Sequence, residues 1–334
     1  MSALISFGIA VIIAFQALGT WLEGPMKFFS LFGSEGFFTF FIPLVYWSID
    51  EALGLRLGFM LLIGAGLNDL VKMSLHGPRP YWVSTKVRIL ATETNFGVPS
   101  GHAQVSAGFW GMVAARFDKA WIWVLALSLV ILIGLSRLYL GVHFPHDVLF
   151  GWLLGFLFLG VFLKAWNKLV ELIREMPMGK QIGLAVLVSL GMLLTGVLIA
   201  FLSRGYSTPT EWLRNATRDG AAPPNPLSLG LVITLSGTLL GQCLGLAFMA
   251  PRGGFRATGS IGKRALRFFI GLLGVAVIDL GLKAVLPQGA ALLPAICRYF
   301  RYVALGFWLT GGAVWVFTRL QLKGGRIRQR GENP

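Results

Sequence analysis

Much of this chain is made of apolar stretches close to the length an α-helix needs to cross a bilayer, and no other feature limits the fold as strongly. Such stretches run near 3–22, 31–49, 55–75, 101–117, 120–140, 147–167, 181–203, 226–249, 265–286 and 302–320. Backbone polar groups in lipid must be satisfied within the segment, so the expected fold is all-α, a polytopic transmembrane bundle of about ten spans. Residues 3–22 carry no charge, and no basic residue precedes them. They read as a span or as a helix along the membrane face, and not as a cleaved signal peptide. Of 334 residues, 55% are hydrophobic and 13% charged, which excludes a disordered chain, a coiled coil and a water-soluble enzyme. Cys243 and Cys297 are too few for a disulfide framework and lack metal-ligand spacing.

The net charge is +15, from 29 Lys and Arg against 14 Asp and Glu, which in a soluble protein would suggest a nucleic-acid partner. Its distribution argues for a membrane protein instead. One set of connecting segments holds Arg56, Arg116, Lys119, Lys164, Lys168, Arg174, Lys180, Arg252, Arg256, Lys263, Arg264 and Arg267, and the tail adds Lys323, Arg326, Arg328 and Arg330. The alternate set, including 76–99 and 204–225, is longer, richer in proline and poorer in cations. The positive-inside bias puts the first set and both termini in the cytoplasm and the second set outside. No nucleic acid is expected as a partner. Residues 1–170 hold nearly all the unusual polar residues. Residues 171–334 add Gly-rich helices, where Gly237, Gly241 and Gly245 have the spacing of close helix packing, and a basic tail. No internal repeat supports an inverted-repeat transporter.

Three segments interrupt the apolar pattern, all at the outward ends of spans. The first runs from Lys72 through His76, Gly77 and Pro78 to Arg79 and Pro80; its Gly-Pro break lets both cations point into one cavity. Ionisable groups beside a bilayer are costly and are functional candidates by default. The second, Pro99-Ser100-Gly101-His102, has the composition of a capped helix start, where free amides and a hydroxyl bind phosphate. The third runs from Ser136 and Arg137 through His143 and His146 to Asp147. Arg137 offers a planar fork for phosphate oxygens. His143 and Asp147, four apart, suit a helix face on which the carboxylate fixes the imidazole tautomer, although Pro145 between them distorts that face. Singly, each feature has an ordinary explanation: snorkelling for Lys72, a plain cap for Ser100, a structural histidine. Jointly they converge on an anion.

The pattern Lys-x6-Arg-Pro, Pro-Ser-Gly-His, Ser-Arg-x5-His-x3-Asp resembles the three signature motifs of the type 2 phosphatidic acid phosphatase superfamily. That superfamily includes lipid phosphate phosphatases, undecaprenyl-pyrophosphate and phosphatidylglycerophosphate phosphatases, glucose-6-phosphatase and vanadium haloperoxidases. The likeness covers roughly residues 30–165, and the Arg79-Pro80-Tyr81-Trp82 run is locally similar to glucose-6-phosphatase. It implies a phosphohistidine mechanism in which His143 attacks phosphorus, Asp147 orients it, and His102 protonates the leaving oxygen and then activates water. Lys72, Arg79, Arg137, Ser100 and Gly101 would hold the phosphate oxygens. No carboxylate cluster for Mg²⁺ accompanies the motifs, so no metal or other cofactor is expected.

The expected function is hydrolysis of a lipid phosphate or diphosphate at the extracytoplasmic face, in a bacterial inner membrane given the short loops. Phosphoryl transfer to a lipid or sugar acceptor, a soluble hexose phosphate as substrate, and a non-catalytic phospholipid transporter are the alternatives; the oligomeric state is open. His76 and His146 match no signature position and read as side chains hydrogen-bonding loop backbone, in preference to lining the site. Asp69 and Asp279 read as intrahelical partners of Lys72 and Lys283, and Tyr81 and Trp82 as aromatic-belt residues. The Asn215-Ala-Thr217 triplet is a chance sequon.

Overall fold

The computed structural model describes residues 3–322, and every regular element among them is helical. The expected basic tail, Lys323 to Arg330, lies outside the described residues. Helices α1 (Ala3–Ala17) and α2 (Glu23–Leu31) are joined by a 3-10 turn. The chain bends by 91° between them, at Gly19, whose φ of 113° side chains rarely adopt. There follow α3 (Glu35–Ser48), α4 (Glu51–Leu75), α5 (Pro80–Val83), α6 (Gly101–Phe117), α7 (Ala120–Tyr139) and α8 (Pro145–Glu175). Then come α9 (Met178–Leu202), α10 (Thr210–Thr217), α11 (Gly230–Met249), α12 (Ile261–Val285), α13 (Leu292–Phe307) and α14 (Ala313–Arg319), the last two continuous through a π-helical turn.

Among the described residues, seven helical stretches are long and apolar enough to cross a bilayer, or eight if the bent α1–α2 pair is one span. The ten expected spans are not all found. The first bends at Gly19. The second and fourth correspond to α3 and α6, of 14 and 17 residues, which rise only about 21 and 25 Å against a hydrocarbon core of about 30 Å. An apolar run in the sequence does not mark where its helix begins or bends.

The chain forms two compact units, one of residues up to 38, 59–175 and 190–235, the other of 39–58, 176–189 and 236 onward. The expected division near residue 170 is a single cut, whereas these units interleave along the chain. In the first unit α6 packs against both α7 and α8. Ser100 caps α6 by accepting the Ala103 amide at 3.4 Å, and Pro145 opens α8 at a position where its missing N–H costs nothing. Leu149, Leu153, Leu157 and Val161, one per turn of α8, are 56–63% exposed, an apolar stripe suited to lipid. On its packed side, a Cβ at Gly151 would lie 2.6 Å from the Ser100 carbonyl and 3.0 Å from the Ala103 Cβ. Gly151→Leu is expected to force α8 off α6 and destabilise the protein by about 1–3 kcal/mol, read as a lowered unfolding temperature in detergent.

In the second unit Trp47 is fully buried, donates its indole N–H to the Leu309 carbonyl at 2.9 Å, and packs with Phe268, Ala313, Val314 and Phe317. Gly237, Gly241 and Gly245 meet α13 and the π turn after it as the spacing predicted: a Cβ at Gly241 would collide with the Val303 carbonyl. Asp279 does not behave as expected from its spacing to Lys283. Its Oδ1 lies 3.7 Å from Nε of Arg301, on a different helix.

Candidate active site

The site lies within the first unit. Lys72 is in the last turn of α4; the chain reverses through His76 (φ 52°) and Gly77 and delivers Arg79 just before α5. Residues 84–100 then return as a strap to the start of α6. Gln16 secures the strap by donating to the carbonyls of Arg88 (3.0 Å) and Tyr139 (2.9 Å) and accepting the Arg88 amide (3.0 Å). The Tyr81 hydroxyl accepts the Glu93 amide at 3.0 Å and donates to the Glu93 carbonyl at 2.8 Å. From the far end of the unit, Asn225 donates its amide to Thr94 O at 2.9 Å, and Arg218 donates to Ser84 O (3.3 Å) and Val87 O.

The cations of the three motifs are buried: Lys72 is 4%, Arg79 1% and Arg137 3% exposed. Each is bonded to the strap. Lys72 Nζ donates to Phe96 O at 2.7 Å. Arg79 donates to Asn95 O (2.7 Å), Phe96 O (3.1 Å), Val142 O (2.9 Å) and the Asn95 side-chain oxygen. Arg137 donates to Glu93 Oε1 and to Ser30 Oγ, both at 2.6 Å, while its Nε is buried with no partner. Burial by itself would raise the Glu93 carboxyl. The charges of Arg79, Arg137, His102 and Lys72 outweigh that and hold it near 2, so it stays ionised.

His143 and Asp147 are four apart, but not on one helix face. His143 lies in the turn before α8, and Asp147 is in its first turn. Asp147 Oδ2 accepts the Phe144 amide at 2.8 Å, the reach-back half of a capping box, and so stands 3.4 Å from His143 Nδ1. On the other ring edge, Arg79 Nη1 is 3.2 Å from Nε2. A guanidinium only donates, so Nε2 carries the lone pair and Nδ1 the proton. Burial first, and then the surrounding Arg79, Lys72, Arg137 and His102, depress His143 well below the ordinary imidazole range, leaving it neutral. His146 Nε2 lies 3.1 Å from Asp147 Oδ1, and its ring stacks on Phe144.

His102 stands half-buried in the first turn of α6 beside Gly33. Ser100 is fully buried, and a Cβ at Gly101 would approach Asn68 Oδ1 to 3.1 Å. Lys72, Arg79 and Arg137 thus share one strap, Arg79 reaches His143, and Asp147 accepts the Ser100 amide through its carbonyl at 2.9 Å. Ser30, Glu93, Asn95 and the strap carbonyls were not anticipated, because no motif contains them.

Other expectations are corrected. Tyr81 and Trp82 are core residues, not belt residues, 2% and 0% exposed. His76 bonds a side chain, Ser203 Oγ at 3.1 Å, and its ring lies tilted against Tyr206. Asp69 is buried with an unpaired Oδ2, and Lys72 donates to carbonyls rather than to it. Asn215, by contrast, fits the reading of its triplet as a chance one: it is buried and donates to Trp82 O at 3.0 Å. Among the described residues no three His, Cys, Asp or Glu side chains form a metal-holding group. The donor set of two guanidiniums and an ammonium suits an oxyanion.

Helices of bilayer length, with buried cations gathered beside a neutral histidine, are the features of a multi-pass membrane protein with a candidate site for an anion. Sequence comparison agrees: residues 53–171 match the PAP2 superfamily, and residues 233–326 match the transmembrane extension of PAP2 superfamily phosphatases. The chain therefore carries a PAP2 superfamily domain with its transmembrane extension and is a membrane phosphatase. Glucose-6-phosphatase 3 of Bos taurus is 27% identical over 281 residues, 75% of this chain and 78% of that protein. Undecaprenyl-diphosphatase of Sulfolobus acidocaldarius is 32% identical over 140 residues, 40% of this chain and 66% of that protein. Among solved structures, a transmembrane PAP2-type phosphatidylglycerolphosphate phosphatase from Bacillus subtilis matches with 25% identity and a TM-score of 0.44, over 50% of this chain and 88% of the other.

Proposed function

We propose that the protein hydrolyses a lipid phosphate or diphosphate at the extracytoplasmic face through a phosphohistidine. The observation that carries this reading is the His143 ring, with Asp147 on its Nδ1 side and an unprotonated Nε2 that faces Arg79. Nε2 attacks phosphorus as the P–O bond to the leaving group breaks, and His102 gives that oxygen a proton. His102 then takes a proton from the water that cleaves the N–P bond. Lys72, Arg79 and Arg137, with Ser100 and Gly101 at the start of α6, bind the phosphoryl oxygens, where prearranged charge stabilises the transition state most effectively.

Two features support a lipid substrate outside the cytoplasm. The apolar stripe of α8 faces lipid on the helix that Asp147 helps to begin, which suits a substrate held in the bilayer. Arg116, Lys119, Lys164, Lys168 and Arg174 lie at the opposite helix ends from the motifs, and cations collect on the cytoplasmic side. Residues 1–170 would form the catalytic core and 171–334 its membrane extension. A sugar phosphate is the second reading, favoured by the 281-residue match to a glucose-6-phosphatase. The deciding experiment is phosphate release in EDTA from undecaprenyl diphosphate, phosphatidylglycerophosphate, phosphatidate, sphingosine phosphate and glucose 6-phosphate. Turnover in EDTA is expected, fastest on a long-chain substrate. Preference for glucose 6-phosphate favours the second reading, and activity only with added metal overturns the mechanism.

A further inference from the structure

Arg137 is held from two sides by residues outside the three motifs. Ser30, from the last turn of α2, takes Nη1, and Glu93, from the strap, takes Nη2, both at 2.6 Å. Ser30 also precedes the stretch that matches the PAP2 superfamily. Glu93 is itself clamped, since both its backbone amide and its carbonyl bond the single Tyr81 hydroxyl on α5, the helix that Arg79 precedes. One guanidinium donor, Nε, stays buried and unpaired. Leaving a buried charged donor unsatisfied is costly, and Nε of Arg137 is open to an oxygen of a bound ligand.

We propose that Ser30 and Glu93 are positioning residues: they preset the Arg137 guanidinium so that Nε meets an oxygen of the transferring phosphoryl group. The proposal rests on the phosphatase reading above. Arg137 has a long, flexible side chain, and fixing it before substrate arrives removes an ordering cost from the chemical step. Glu93 lowers the net positive charge of a site that crowds three cations and so offsets part of their mutual repulsion. It does so without touching substrate.

The test compares the full-length wild type with Ser30→Ala, Glu93→Asp, Glu93→Gln and Glu93→Ala. It measures kcat and KM on dioctanoyl phosphatidate and glucose 6-phosphate, and the inhibition constant for orthovanadate. Glu93→Ala is expected to lose roughly 100-fold in kcat/KM, chiefly in kcat, and to bind vanadate roughly tenfold more weakly. Glu93→Asp should recover most of both, with Glu93→Gln between. Ser30→Ala should act in the same direction, and its effect should not add to that of Glu93→Ala, since both act through one side chain. Tighter vanadate binding in Glu93→Ala or Glu93→Gln overturns the proposal, because Glu93 would then compete with phosphate for Arg137. Unchanged kcat and vanadate binding overturn it as well. If Glu93→Ala fails to fold, the near-isosteric Glu93→Gln and the Ser30→Ala variant decide by the same readouts. A wild type that neither releases phosphate nor binds vanadate removes the phosphatase reading, and this inference with it. A fully active wild type with indifferent Glu93 variants removes the inference alone.

Discussion

His143→Ala is expected to lower phosphate release by roughly 10⁴-fold or more, the scale of losing a covalent nucleophile. That factor corresponds to about 5.5 kcal/mol of transition-state free energy. The loss should fall on kcat. Lys72 and Arg137 do not bond His143, and the Phe144 amide still has Asp147 to receive it. Vanadate binding should therefore persist, separating lost chemistry from lost folding, and wild type mixed briefly with ³²P-labelled substrate should carry acid-labile label that the variant lacks. The wild-type pH profile carries the same information. His143 is neutral because burial and nearby cations disfavour its protonation, so the acid limb it causes should lie well below pH 6.5 in kcat/KM. Wild-type rates in His143→Ala would show that another group attacks phosphorus.

Asp147→Asn should cost roughly 10³- to 10⁴-fold with little loss of stability, because the substitution keeps the shape and removes the charge beside His143. The carboxylate accepts from the Phe144 amide and faces Nδ1 of His143 with the same oxygen. An asparagine that keeps the amide contact through its oxygen puts its NH₂ in the place of Oδ1, beside His146, and removes the negative charge that holds the proton on Nδ1. Without that charge the tautomer with the proton on Nε2, which cannot attack, gains population, and the positive ring formed on attack is less stabilised; an Asp→Asn change beside a catalytic histidine acts this way in serine proteases. The expected signature is a large fall in kcat, near-normal vanadate inhibition, and an imidazole ¹⁵N spectrum showing the other tautomer. Equal loss of activity and of vanadate binding would mean instead that Asp147 holds the start of α8 together.

How much of this could be read before folding depended on where the information resides. Apolar length revealed the membrane bundle, since lipid accepts only a backbone that bonds itself. Its span count was less legible: α3 and α6 are apolar yet short, and the 91° bend at Gly19 sits inside an unbroken hydrophobic run. The proposed site residues Lys72, Arg79, Ser100, Gly101, His102, Arg137, His143 and Asp147 could be named before folding because side-chain chemistry at set spacing is written in residue types. The shared helix face assigned to His143 and Asp147 was wrong in detail, because Pro145 starts α8 after His143.

The sequence alone therefore determined that this is a polytopic helical membrane protein with three cation- and histidine-bearing segments aimed at an anion. Only the tertiary structure decided what holds those groups in place. Lys72 and Arg79 are anchored mainly on strap carbonyls, which every residue possesses and which leave no mark in a residue pattern. Arg137 is anchored on Ser30, 107 positions away along the chain, and on Glu93, 44 away. Neither partner has a spacing that local periodicity could reveal, so their pairing exists only once α2, the strap and α7 are packed together.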